Sequence, residues 1–307
     1  MIEPTDLIVA AVLMDNLIYA DGTQRENIPG GAGLYALAGA ALFSDNPVLV
    51  TGTGEDLPLT FGPWLSRNGL STHGLRFADP HAPRNILRYL DDRTRTETPV
   101  YGHDHFRRIE PRPDDVAAVL DGARGIYVFR NTDQVFWDGI IELLGDRRPK
   151  VLWEIGLDAC TPGELPRIEA ILRRVDALSL NFEEAAAIFE SQSDDLIIGR
   201  LRSLGAPLVF LRAGSRGSYV IGPELTRFVP SLAVEATDVT GGGNAFGGAA
   251  LVGLARGEAP SICAAMGTVA ASLAIGQYGP PDAGTEPVRE AARMALAHLL
   301  ETLEVQV

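Results

Sequence analysis

The chain has 307 residues, 46% of them apolar and 7% aromatic, with a formal charge of -14. This is enough for one large α/β domain or two smaller ones with an aliphatic core, without disulfides or metals. The acidic balance repels nucleic-acid phosphate and anionic membranes, so neither is expected as a general partner. No apolar run approaches the ~20 residues that cross a bilayer. Cys160 and Cys263 stand far apart without metal-like spacing and read as small apolar residues of a reduced compartment. Residues 1–6 lack the basic-then-apolar order of a signal peptide, so a cytoplasmic protein is expected.

In chain order, the apolar run 7–13 predicts a strand buried on both faces, running into Asp15. Asp21-Gly22 between two extended segments predicts a hairpin that projects as a flap. Pro29-Gly30-Gly31-Ala32-Gly33 then precedes a helix of small residues. A strand at 47–50 and a helix over 57–68 follow. Segment 85–102, rich in Thr and Arg and alternating in polarity, predicts a second hairpin turning at Asp91-Asp92-Arg93. Together the hairpins predict a small β lid, about 15–30 and 84–106, over the strand ends of a single domain spanning 1–307. Its exposed edge invites a partner strand, so a homodimer through the lid is expected.

The α/β rhythm resumes with strands at 125–129, 150–155, 175–180 and 207–211, and a short antiparallel addition at 217–221. Helices fit 133–144, 162–174, 182–189, 196–204, 261–275 and 287–303. Strands alternating with helices at this spacing imply βαβ units and a mainly parallel sheet.

Ligands of such sheets bind beyond the carboxyl ends of the strands. Asp15, Gly30, Gly31, Asn181, Gly214 and the triplet Gly241-Gly242-Gly243 all lie just after predicted strands. The triplet opens a helix, so its backbone N–H groups and the helix dipole can converge on one anion. A carboxylate at Asp15 can accept from adjacent hydroxyls of a sugar-like ligand. Asn181 reads as an N-cap with Glu184 as its capping-box partner. Arg212-Ala213-Gly214-Ser215-Arg216-Gly217 reads as a tight turn in which Arg212 offers a cation to phosphate. His103-Asp104-His105 reads as a solvated loop rather than a metal site, and Arg107-Arg108 and Arg147-Arg148 as solvated surface.

Asp238-Val239-Thr240-Gly241-Gly242-Gly243-Asn244-Ala245-Phe246 resembles the second signature of the ribokinase/PfkB carbohydrate kinases. Gly30-Gly31-Ala32-Gly33 resembles the first, with Tyr35 where the family usually has Asn. Asn181-Phe182-Glu183-Glu184 resembles its N-x-x-E, and Gly214 and Gly217 match its G-x-x-G turn. These occur in the family's order over nearly the whole chain. The resemblance implies a three-layer αβα sandwich with a mainly parallel sheet and a β lid. It implies ATP and magnesium as cofactors, with Asp15, Gly30 and Gly31 on the substrate. It places Asn181, Glu184, Arg212, Gly214 and Gly217 on the nucleotide, Glu184 acting on magnesium indirectly. Some family members also hold a monovalent cation, potassium here, at the place of Asp238.

One departure bears on the chemistry. The family's catalytic base, an Asp, falls on Asn244, and an amide does not take a proton near neutral pH. General-base catalysis contributes about 10²–10⁴ in rate, whereas phosphoryl transfer rests mostly on positioning and electrostatics. The expectation is therefore an ATP-dependent carbohydrate or nucleoside kinase that is impaired or atypical. The alternative is a non-catalytic kinase-fold protein that senses nucleotide or sugar.

Overall fold

A computed structural model describes residues 3–89 and 95–304. The first elements are β1 (Thr5–Val9), β2 (Leu13–Ile18), β3 (Gln24–Gly30), α1 (Gly31–Ala41) and β4 (Pro47–Gly54). Next come α2 (Gly62–Arg67), β5 (Leu75–Asp79), β6 (Arg84–Tyr89), β7 (Arg95–Pro99), α3 (His103–Ile109) and α4 (Pro113–Ala117). The middle of the chain holds β8 (Ala123–Arg130), α5 (Gln134–Leu144), β9 (Lys150–Ile155), α6 (Leu165–Leu172), β10 (Ala177–Asn181) and α7 (Phe182–Phe189). It closes with α8 (Asp194–Ser203), β11 (Val209–Arg212), β12 (Gly217–Ile221), β13 (Thr226–Pro230), α9 (Gly242–Arg256), α10 (Pro260–Ile275) and α11 (Glu286–Glu304).

A nine-stranded sheet runs in the order β13-β12-β11-β10-β9-β8-β1-β4-β5. It is parallel except for β12 and β13, which add antiparallel at one edge. Alternation along each strand divides the core into two layers. Ile8, Leu49, Tyr127, Leu152 and Phe210 face one layer with α1, α9 and α10. Leu7, Val48, Val128, Trp153 and Val209 face the other, with α5, α6, α7 and α8. This is the ribokinase-like αβα sandwich. The order reverses between β1 and β8, where a crevice opens beyond the strand ends.

A second sheet of four strands, β3-β2-β6-β7, stands over that crevice. The run 7–13 is not one strand: the chain leaves the main sheet after Val9 and enters the second at Leu13. Asp15 accordingly lies inside β2, opposite Ile28 and Asn85, rather than after a strand. Gly22, with φ 85°, turns the β2–β3 hairpin. The expected Asp91-Asp92-Arg93 turn lies outside the described residues.

The helix expected at 57–68 is a 3-10 turn, Leu57–Leu59, followed by α2, because Pro58, Gly62 and Pro63 interrupt one continuous ladder. Likewise a 3-10 turn over Pro162–Glu164 leads into α6. Four elements escape the sequence pattern: β5, β13, α3 and α4. The edge strands β5 and β13 are half exposed and lack a long apolar run. The reading of His103-Asp104-His105 as a solvated loop is corrected: these residues open α3, and His105 is 3% exposed beside Asp79 at 3.2 Å. No helix among the described residues is long and apolar enough to cross a membrane.

Candidate active site

The glycine triplet begins α9 at the crevice. Gly241 is the N-cap, with φ 77° and no side-chain cap, and Gly242 and Gly243 are the first helical residues. The approach is pinned from both sides. Thr237 and Asp238 donate their backbone N–H to the Ile275 carbonyl at 2.8 and 3.1 Å, at the end of α10. Asp238 Oδ1 accepts from the Thr240 N–H at 2.9 Å. The first N–H groups of the helix thus meet no capping side chain and face the crevice.

Against this helix start lies a buried charge cluster. Arg212, at the end of β11, donates from one guanidinium nitrogen to Glu154 Oε1 at 2.7 Å and from the other to Glu184 Oε2 at 3.5 Å. The Arg212 and Glu154 side chains are 11% and 4% exposed. Burial alone would lower the Arg212 pKa, but Glu154 and Glu184 outweigh it and raise it, so the cation is held. Burial is also the largest influence on Glu184, raising its carboxyl against the opposing pull of Arg212 and the Asn181 N–H. Asn181 and Glu184 form the reciprocal capping box, at 2.7 and 2.8 Å.

Glu154 extends the cluster toward Asn244. The Tyr127 hydroxyl donates to Glu154 Oε2 at 2.8 Å, and Asn244 Nδ2 donates to Glu154 Oε1 at 3.1 Å and to the Tyr127 oxygen at 3.2 Å. Burial, then the Glu154 charge, raise the Tyr127 phenol well above its ordinary value, so it remains a donor. Two glycines one helical turn apart make room. A Cβ on Gly243 would fall 2.0 Å from the Arg212 guanidinium, and one on Gly247 2.7 Å from Glu154 Oε2.

On the other side of the crevice, the Asp15 carboxylate lies 2.6 Å from where a Cβ on Gly30 would stand. Gly31, with φ 82°, turns the chain from β3 into α1 against the Leu13 backbone. Tyr35, 3% exposed, spans toward Gly241. Burial, then the nearby Asp238 and Asp15 charges, raise its phenol above the usual range. Beyond it, Tyr19 stacks on Tyr89 at 5.3 Å, and Tyr278 meets Tyr19 edge-on at 6.5 Å. Arg25 lies 4.2 Å over the Tyr278 ring.

A cavity of about 560 Å³ opens beside the cluster, lined by Arg212, Gly214, Gly217, Gly243 and apolar residues that include Val234, Phe246 and Ile275. Its volume and largely apolar wall suit a flat heteroaromatic group with a polar end at Arg212 and Gly243.

The structure therefore gathers Asn181, Glu184, Arg212, Gly243 and Asn244 around one cluster, with Gly214 and Gly217 along the adjoining cavity. Asp15, Gly30 and Gly31 lie together on the lid side. Asp238 sits apart in the turn before α9. Sequence reasoning missed Glu154 and Tyr127. A charged residue near the end of the apolar strand Lys150–Ile155 was an available signal for the first. A tyrosine inside β8 carried none. Among the described residues no group of three or more His, Cys, Asp or Glu is arranged to hold a metal directly. Water-mediated contact from Glu184 and Glu154 still fits a magnesium-bearing triphosphate.

The molecule shares its fold with solved kinases. A probable sugar kinase from Rhizobium etli superposes with a TM-score of 0.78 at 17% identity, covering 97% of this chain and 100% of that one. The chain is thus a ribokinase-like α/β protein. The family model for pfkB family carbohydrate kinase matches residues 156–286. An uncharacterized Schizosaccharomyces pombe protein is 28% identical, over 88% of this chain and 83% of that protein. A cytidine kinase from Thermococcus kodakarensis is 25% identical, over 89% of this chain and 96% of its own. Residues 156–286 thus match the pfkB carbohydrate kinase family in sequence, and the chain as a whole has the fold of ribokinase-like kinases.

Proposed function

We propose that this protein transfers the γ-phosphoryl group of magnesium-ATP to a hydroxyl of a carbohydrate or nucleoside, with Asn244 in place of a carboxylate base. One observation carries the reading: the uncapped Gly242-Gly243 helix start and the buried Arg212 cation meet at the mouth of the 560 Å³ cavity. In this reading the cavity takes the nucleotide, Gly214 and Gly217 border it, and the N–H groups of Gly241, Gly242 and Gly243 meet the charge that develops on the transferred group. Asn181 holds Glu184, which acts on magnesium through water. Asp238 is the carboxylate a potassium ion would find. Asp15 orients the acceptor's hydroxyls, with Gly30 and Gly31 allowing close approach.

The aromatic group Tyr19, Tyr89 and Tyr278 lies on the acceptor side and favours a ring-bearing acceptor, a nucleoside, over a bare sugar. The cytidine kinase relative supports the same choice.

A second reading, a nucleotide or sugar sensor without turnover, is favoured by the Asn244 amide alone. One experiment separates them. The protein is incubated with magnesium-ATP and a panel of nucleosides and sugars, while ADP and the phosphorylated acceptor are measured and ATP binding is followed by calorimetry. Acceptor-dependent ADP formation is expected, strongest with nucleosides. Binding of ATP and acceptor without product would favour the sensor, and absence of ATP binding would sink the kinase and the nucleotide sensor alike.

A further inference from the structure

Resting on the kinase reading for its turnover part, we infer that Glu154 is a positioning residue that acts on the acceptor through Asn244. The carboxylate beside the helix start stands at 154 rather than at 244, and residues 154 and 244 work as one unit.

The geometry leaves room for one carboxylate, not two. Asn244 Nδ2 is 3.1 Å from Glu154 Oε1 and 3.2 Å from the Tyr127 oxygen, with Tyr127 itself donating to Glu154. Both amide hydrogens are thereby used. Amide planarity turns Oδ1 away from Glu154 and Tyr127, and among the described residues nothing donates to it. An acceptor hydroxyl is the donor that this oxygen suits. Placed at 244, an aspartate would bring an oxygen within hydrogen-bond distance of Glu154 Oε1. Two carboxylates so close cannot both ionise without a large cost.

Glu154 also fixes the cation. Its Oε1 holds Arg212 at 2.7 Å, and the guanidinium lies in the space that a side chain on Gly243 would fill. One buried carboxylate thus sets both the amide that receives the acceptor and the cation beside the anion cradle. During transfer the acceptor oxygen bonds to the γ-phosphorus. The bond to the bridging oxygen breaks with its electron pair left on ADP. The acceptor's proton, hydrogen-bonded to Asn244 Oδ1, leaves on an oxygen of the transferred phosphoryl group, since the amide cannot keep it.

The test uses the full chain and three variants: Glu154→Gln, Asn244→Asp and the double exchange. Two readouts are taken, thermal denaturation without ligands and kcat and KM with the best acceptor. Asn244→Asp is expected to lower Tm by several degrees and to leave kcat no higher than the parent's. Glu154→Gln is expected to lower kcat by about 10²-fold, with acceptor KM changed by less than about threefold. The double exchange is expected to recover much of the Tm lost in Asn244→Asp and to exceed either single variant in kcat by at least about tenfold. A rise in kcat for Asn244→Asp at unchanged Tm would overturn the inference, as would losses of Tm that simply add in the double exchange. If Asn244→Asp does not fold, recovery of a folded double exchange supports the unit and its failure overturns it. The denaturation arm needs no turnover, so it decides whether 154 and 244 form one unit even where the kinase reading fails.

Discussion

The ring of Tyr35 occupies the space that a side chain on Gly241 would need: an added Cβ would fall 2.1 Å from a ring carbon. The tyrosine at 35 and the glycine at the helix cap are therefore one packing feature. Gly241→Ala should lose stability twice, through this overlap and through a φ of 77° that costs an L residue about 1–2 kcal/mol. In a Tyr35→Ala background only the backbone cost should remain. Urea denaturation of the four proteins checks this, and equal losses in both backgrounds would show that ring and glycine do not interact.

In the proposed kinase reading, Gly243 bears on the nucleotide in the same way. An alanine there would displace the Arg212 guanidinium, whose nearest nitrogen is 2.0 Å from the Cβ position. Gly243→Ala and the bulkier Gly243→Val should weaken magnesium-ATP binding by about tenfold or more, the worth of one or two charge-assisted contacts. Acceptor binding should fall much less. Calorimetry with each ligand separately measures the contrast.

Glu184 predicts a pH dependence whose sign follows from its raised carboxyl. Burial is the main cause, opposed by Arg212 and the Asn181 N–H and aided by Glu154 and Glu183. The folded state then holds the Glu184 proton more tightly than the unfolded chain. Its contribution to stability falls as pH rises from the ordinary carboxylate range through the raised value. Glu184→Gln should remove that loss, so the variant gains on the parent as pH rises through the window. Its magnesium-dependent ATP affinity should nonetheless drop. Thermal scans across the acidic range, with and without magnesium-ATP, test both halves.

Near the amino end of β1, Asp6 is fully buried and accepts from Ser44 Oγ at 2.6 Å and from two Arg124 nitrogens at 2.9 and 2.6 Å. Arg124→Met would leave this carboxylate uncompensated, at a cost of about 3–5 kcal/mol. The same change combined with Asp6→Asn should cost clearly less. Denaturant midpoints read the difference, and catalysis should be untouched in whatever fraction stays folded.

Local chemistry made much of the fold legible. The strand-helix alternation after residue 125 is read from apolar runs of strand length, most followed by helical spacing, and the structure matches it apart from β13 and the 3-10 start of α6. The errors have local causes too. Ala10, Ala11 and Val12 are as apolar as a strand, yet Leu13 pairs with Gly30 in the second sheet, so one hydrophobic run serves two sheets. His105 looked solvated because its neighbours are charged. Its burial follows from Asp79 and the Tyr101 ring, 4.9 Å away, which are contacts no periodicity reports.

The motif residues divide along the same line. By itself the sequence determined where glycines open a helix, because glycine's freedom acts on its own few residues, although the triplet at 241–243 follows an irregular segment rather than the expected strand. It also determined that position 244 carries an amide. Only the tertiary structure decided what faces that amide. Glu154 lies 90 positions away on another element, and Tyr127 lies 117. Side chains from β8, β9 and β11 converge on one turn of α9 because parallel strands end at the same edge and two glycines let them approach. A strand's alternation says which face a residue takes, but the neighbour across that face is set by the packing of the whole sheet.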